Sequence, residues 1–151
     1  VFMEYEHPGV KDEKHFSLAV SPEHGIYAVC YHHHDLITVC SFDGNLKYNI
    51  YGPKWNGNES SEISCFSSAF FCGDKLFAAY NGENTFVDRG KGMETSRPTR
   101  LIVFDINGNY LRTLETEYSI WDYSCDRENN RIILSLDDEI QFACLELDGL
   151  I

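Results

Sequence analysis

The residues best suited to chemistry come early. Tyr31 to Asp35 reads YHHHD, three imidazoles followed by a carboxylate. In a strand His32, His33 and His34 would alternate sides. In a turn two of them can converge with Asp35, a donor set that suits zinc or a related ion. The same residues in a plain polar turn would only titrate near neutral pH. A second cluster follows. Arg89, Lys91, Arg97 and Arg100 fall within twelve residues, a third of the basic side chains of a chain whose formal net charge is −12. This local reversal of sign is expected to grip an anionic or polar ligand or an acidic partner, because guanidinium forks match carboxylates and phosphates. The alternative is a mobile, solvated loop paired with nearby acids. Asp137 to Glu139 reads DDE, which lacks the spaced oxygens of a calcium loop and is expected to be a charged hairpin tip. Of the two tryptophans, Trp121 is expected in the core and Trp55, in GPKWNGNES, exposed for stacking on a sugar or peptide.

What is missing narrows the chemistry. The segment DRGKG lacks the GxxxxGK[ST] spacing of a phosphate loop, and no GxSxG nucleophile elbow occurs. No cofactor is implied. The six cysteines contain no CxxC pair, so zinc-ribbon and thioredoxin-type sites are absent. Most sit in apolar runs, where a free thiol packs as a small hydrophobe. Cys30 and Cys40, on either side of one expected hairpin, are the best candidates for a disulfide.

The acidic balance argues against nucleic acid or an anionic membrane as the main partner. No apolar run is long enough to span a bilayer. There is no initiating Met, so Val1 is read as the start of a processed or trimmed chain. At 43% hydrophobic residues and 151 in length, the chain can bury one real core.

The elements that must position these residues repeat. GIYAVCY from Gly25, KLFAAYN from Lys75 and RIILSLD from Arg131 are apolar strands, each preceded by a turn and another strand. The offset between the paired strands is nine each time: Ser17 to Ile26, Ser67 to Leu76, Tyr123 to Ile132. A third strand follows in each unit and ends at a Gly-containing turn, Asp43-Gly44, Asn107-Gly108 and Asp148-Gly149. Such turns favour tight hairpins because their central residues accept positive φ. A fourth strand follows twice. From Gly108 to Gly149 is 41 residues, which fits a propeller blade of about 40–45. From Gly44 to Gly108 is 64, a blade with an insertion over residues 81–99.

The fold class is therefore all-β: four-stranded antiparallel blades (A to D from the channel outward), about three per chain. Residues 16–52 form one blade, 64–118 a second and 119–151 a third that lacks its D strand. Val1 to Pro8 is expected to be the outer strand of such a blade. Since a ring needs about four to eight blades, the chain reads as half of a six-bladed propeller. A homodimer that exchanges this strand, or the missing half of a longer chain, would complete it. Long B–C and D–A connections share one face, and loops on a rigid scaffold carry sites. The candidate residues on that face are His32, His33, His34, Asp35, Trp55, Arg89, Lys91, Arg97 and Arg100.

The phrases FSLAVSPEHGIYAVCY, LITVCSFDGNLKYNIYG and RLIVFDINGNYLRTL resemble the six-bladed TolB-like and NHL-like β-propellers, most closely those of bacterial cell-envelope lipoproteins. The resemblance spans Phe16 to Ile151 and rests on structural blade endings, with no catalytic residue among them. It implies a ring of about twice this length and a binding or scaffolding role at the cell envelope or periplasm. Two functions follow. One is a non-catalytic binding or protein-interaction module on the loop-rich face. The other is a metal-dependent hydrolase or lyase using His32 to His34 with carboxylates. The first is preferred because no catalytic constellation can be assembled from the sequence.

Overall fold

The structure is a computed structural model that describes residues 5–10, 13–57 and 62–150. Among these residues there are thirteen strands: β1 Phe16–Ser21, β2 Ile26–Tyr31, β3 Leu36–Ser41, β4 Leu46–Tyr51, β5 Ile63–Cys72, β6 Lys75–Asn84, β7 Phe86–Asp88, β8 Met93–Thr95, β9 Arg100–Asp105, β10 Tyr110–Glu115, β11 Ile120–Asp126, β12 Arg131–Leu136 and β13 Phe142–Glu146. These form three antiparallel meanders in chain order, β1-β2-β3-β4, β5-β6-β9-β10 and β11-β12-β13. A separate two-stranded hairpin, β7-β8, rises from the second. The fold is all-β with about three propeller-type blades, the third three-stranded among the described residues.

Strand alternation explains why the blades stack. Side chains of one strand point to opposite faces with a period of two, and both faces of the middle blade are apolar. Ala78, Tyr80, Ile102 and Phe104 pack against Ala28, Cys30, Ile37 and Val39 of the first blade. Phe77, Ala79, Leu101 and Val103 pack against Ile132, Leu134 and Leu136 of the third. Polar ties fix the register between blades. The Tyr123 hydroxyl receives hydrogen bonds from the Ser68 hydroxyl at 2.8 Å and the Ala79 amide at 3.3 Å. Tyr48 donates to the Ile106 carbonyl at 2.7 Å, and its ring lies so close to Gly108 (φ +86°) that a Cβ there would sit 2.6 Å from it. That turn therefore needs glycine twice over, for its dihedral and for its neighbour.

Several expectations change. Cys30 and Cys40 are free and buried. Register explains it: Cys30 lies opposite Ile37, while Cys40 lies opposite Tyr27, so the two thiols face opposite sides of the sheet. The disulfide instead joins Cys72 to Cys125, bridging the ends of β5 and β11 across two blades with Cα atoms 5.8 Å apart. The insertion is more than a solvated loop, since β6 continues through Asn84 and β7 and β8 pair beyond it. Of the expected outer strand at Val1 to Pro8, residues 1–4 lie outside the described residues. Tyr5 to Pro8 form no strand. With Val10 they lie over the outward face of the first blade, where Val10 packs with Val29, Tyr31 and Leu36.

Candidate functional site

The connections between strands gather at one end of the blades. The segment before β1 meets the β2–β3 loop, where the His32 amide donates to the His15 carbonyl at 3.0 Å. The same loop meets the start of β5, where the Cys65 amide donates to the His32 carbonyl at 2.8 Å. The segment before β5 in turn holds the base of the β7-β8 hairpin. The Thr85 amide and hydroxyl both donate to the Glu62 carbonyl at 2.9 Å, and Ser64 and Thr85 share a hydroxyl contact at 2.9 Å. Between these connections lies a cleft of about 850 Å³, lined by Glu13, His15, His33, Glu62, Asn84, Thr85, Phe86 and Met93. That volume falls in the range of small-ligand sites, about 300–1,000 Å³.

One wall is titratable. The Glu13 carboxylate bridges two imidazoles, with Oε1 3.3 Å from His15 Nδ1 and Oε2 3.3 Å from His34 Nε2, and it accepts the His15 amide at 2.7 Å. Burial works to raise the Glu13 pKa. The His15 amide bond and the imidazole of His34 outweigh it, so the group sits below its ordinary value. Burial lowers His34, with Glu13 opposing, and lowers His32, with His33 and His15 adding to the effect. The other wall is apolar: Phe86 is 62% exposed and Met93 69%, both on the hairpin.

The predicted site residues scatter. Of the nine, only His33 lines the cleft. His34 supports the wall through Glu13, and His32 contributes its backbone. Asp35 turns inward as a structural latch, accepting hydrogen bonds from the Tyr80 hydroxyl of the second blade at 3.2 Å and from the Lys54 amide. It lies so close to Gly52 that any Cβ there would fall 1.8 Å from Oδ1. Burial raises its pKa against the pull of both donors. Among the described residues no three His, Cys, Asp or Glu groups are arranged to hold a metal ion.

The basic cluster is largely self-satisfied. Arg89 pairs with Glu83 at 2.6 Å, Arg97 with Asp137 at 2.7 Å and Arg100 with Glu115 at 3.9 Å. Arg100 also donates to the Asn81 carbonyl and lies 5.1 Å over the Tyr80 ring. Lys91 is exposed at the hairpin tip. The tryptophans exchange roles. Trp55 is half-buried among His7, Tyr51 and the Val10 cluster, because the Tyr5–Val10 segment folds over it. Trp121 is 60% exposed, with the Arg97 guanidinium stacked 3.6 Å from its ring centre. The bulge between Ile120 and Asp122 turns Trp121 out of the blade alternation.

Sequence reasoning did not single out Glu13, His15, Glu62, Phe86 or Met93. A signal for the first three was available: residues just before an A strand share the face of the B–C loops. Phe86 and Met93 carried none, because the pairing of β7 with β8 has no strong turn signature.

No protein-family profile and no curated protein sequence matches this chain. Solved structures do. Hydrazine synthase from Kuenenia stuttgartiensis superposes with a TM-score of 0.61 at 14% identity, over 88% of this chain and 34% of that one. YCF48, solved bound to a D1 peptide, gives a TM-score of 0.53 at 13% identity, over 86% and 36%. Both neighbours are propeller-type proteins, and the blades described here belong to that architecture. The chain spans about a third of the length of each.

Proposed function

We propose that this chain is a non-catalytic binding module, half of a six-bladed TolB-like or NHL-like ring, that holds an extended segment of a partner in the cleft between its first two blades. The observation that carries this reading is the construction of the cleft. Its lining comes from the segment before β1, the β2–β3 loop, the segment before β5 and the β6–β9 insertion, all seated on rigid strands. The YCF48 likeness lends support, since that propeller was solved with a peptide bound. Further blades, from a second copy or from a longer chain, complete the ring on this reading. The Cys72–Cys125 bridge suits an oxidising compartment such as the periplasm.

The test is selection of a displayed random-peptide library on the purified chain, repeated with a Thr85→Tyr, Phe86→Asp variant that fills and recharges the cleft. Enrichment that the variant abolishes supports the module. Enrichment that survives in the variant, or none in either, sinks it.

A further inference from the structure

The cleft is lined by carboxylates, while the insertion that overhangs it balances Glu83, Asp88 and Glu94 against Arg89, Lys91 and Arg97. Glu13 and Glu62 line the cleft, and among the described residues no lysine or arginine does. Register adds a third carboxylate. Phe86 pairs with Thr95 and Asp88 with Met93, so Phe86, Asp88 and Met93 share one face of the hairpin. Phe86 and Met93 front the cleft, which brings Asp88 to the same side. The Asp88 Oδ1 accepts the Gly90 amide at 2.8 Å, which holds the carboxylate at the hairpin end. Of the four basic side chains in and beside the insertion, Lys91 stands exposed at the hairpin tip and the three arginines are held by acids. Arg89 is held by Glu83, Arg97 by Asp137 and Arg100 by Glu115.

An anion entering the cleft would meet the carboxylates of Glu62, Asp88 and Glu13, in a chain already at −12. A basic side chain meets the reverse. Long cationic side chains bury their methylene stems on apolar surface and keep the charged head among polar groups. Phe86 and Met93 are exposed, adjacent and apolar, and an aromatic face attracts a cation in its own right. Glu62 lies at the rim, where ion pairing costs little desolvation. We infer that the cleft takes a lysine- or arginine-bearing extended peptide, its stem on Phe86 and Met93 and its cation among Glu62, Asp88 and Glu13. This rests on the proposed binding function and sets the chemistry of the segment bound.

The experiment uses four fluorescein-labelled ten-residue peptides of alternating serine with lysine, arginine, glutamine or glutamate, read by anisotropy at ~150 mM salt, where long-range attraction is screened. The lysine and arginine peptides bind and the other two do not. A Glu62→Gln, Asp88→Asn variant weakens binding about tenfold, as does Phe86→Ala with Met93→Ala. An Asp138→Asn, Glu139→Gln control, on the third blade, leaves it unchanged. Equal binding of the glutamine or glutamate peptide, no binding by any, or equal loss in the control variant overturns the inference. Enrichment of neutral or acidic sequences from the library, lost in the Thr85→Tyr, Phe86→Asp variant, would overturn it while leaving the binding module standing.

Discussion

The first and third blades each present one face that no other blade of the chain covers, and the two faces are built differently. On the first blade that face carries Phe16, Leu18 and Val20 of β1, opposite Tyr31, Val29 and Tyr27 of β2, with Leu36 and Cys40 behind. Its outer part is roofed by Tyr5 to Val10 and by Trp55, and the β1 stripe is exposed among the described residues. On the third blade the corresponding rows are Asp122–Ser135–Phe142, Ser124–Ile133–Cys144 and Asp126–Arg131–Glu146. Arg131 there pairs with Asp126 at 2.8 Å. One face is largely apolar and partly roofed, and the other mixes charged and polar groups with isolated apolar residues. The contrast bears on assembly. Of the two proposed ways to complete the ring, an identical copy packed head to tail would seat the apolar β1 stripe against a face that mixes Asp122, Asp126 and Glu146 with Ile133 and Phe142, so a longer chain with a more apolar blade suits the stripe better.

The contrast can be broken most strongly at its aromatic centres. Tyr31 is 4% exposed and Phe142 is 68% exposed. Tyr31→Ala is expected to cost about 3–5 kcal/mol and Phe142→Ala less than about 0.5 kcal/mol, read from urea midpoints at constant slope. Comparable losses would show the third-blade face to be buried after all. A smaller but regional effect is expected from Cys72→Ser with Cys125→Ser. Opening a loop of 53 residues' separation costs about 4 kcal/mol by chain entropy, with about 2–4 kcal/mol the usual return. Hydrogen exchange should place the loss in β11 to β13 and spare β1 to β4.

Acid should act on the other side. All six histidines lie between His7 and His34, none on the third blade. Burial holds His7, His32 and His34 below their ordinary value. The unfolded chain protonates these groups near pH 6.5 and the folded chain only at lower pH. Between those values the unfolded state binds more protons, so stability is fully present above about pH 6.5 and falls as pH drops below it. Urea midpoints at about pH 7.5 and 5.5 check the sign, and His34→Gln should flatten the difference. Protection lost on acidification should concentrate in the β2–β3 loop and in Tyr5 to Val10. The smallest effect is expected at Arg97, whose stack on Trp121 and pair with Asp137 tie the insertion to the third blade at the surface. Arg97→Ala should cost about 0.5–1 kcal/mol and shift the Trp121 emission.

The blade pattern was legible because backbone chemistry writes it locally. Alternation, tight Gly turns and a constant nine-residue offset need only neighbours in sequence, and β1 to β6 and β9 to β13 follow from them. The hairpin of the insertion escaped because Asp88 to Gly92 is rich in charge and glycine, which reads the same in a coil as in a wide turn. The site was less legible because its contacts join residues far apart in sequence, some of them on different blades. Glu13 meets His34 twenty-one residues on, and Cys72 meets Cys125 in the next blade. Tyr80 fixes Asp35 from another sheet. A run of histidines advertises itself by composition, yet burial decided that one imidazole would line a cleft and another would hold a carboxylate behind it. Which acids pair with the basic cluster was not legible for the same reason: Glu83, Asp137 and Glu115 come from three separate strands or loops.

The bridge between β5 and β11 also sets how the chain yields to force. Pulled at its ends, a chain lengthens by as much contour as its covalent connections release. The Cys72–Cys125 link shorts the path across 53 residues, which holds back roughly 180 Å of extended chain. Most of the middle blade lies inside that closed loop. Tension can peel away β1 to β4 and draw out the tail beyond β11, while β6 to β10 carry no load along their backbone. The middle blade, which provides the hairpin wall of the cleft, is therefore the part of the molecule best sheltered from mechanical extension.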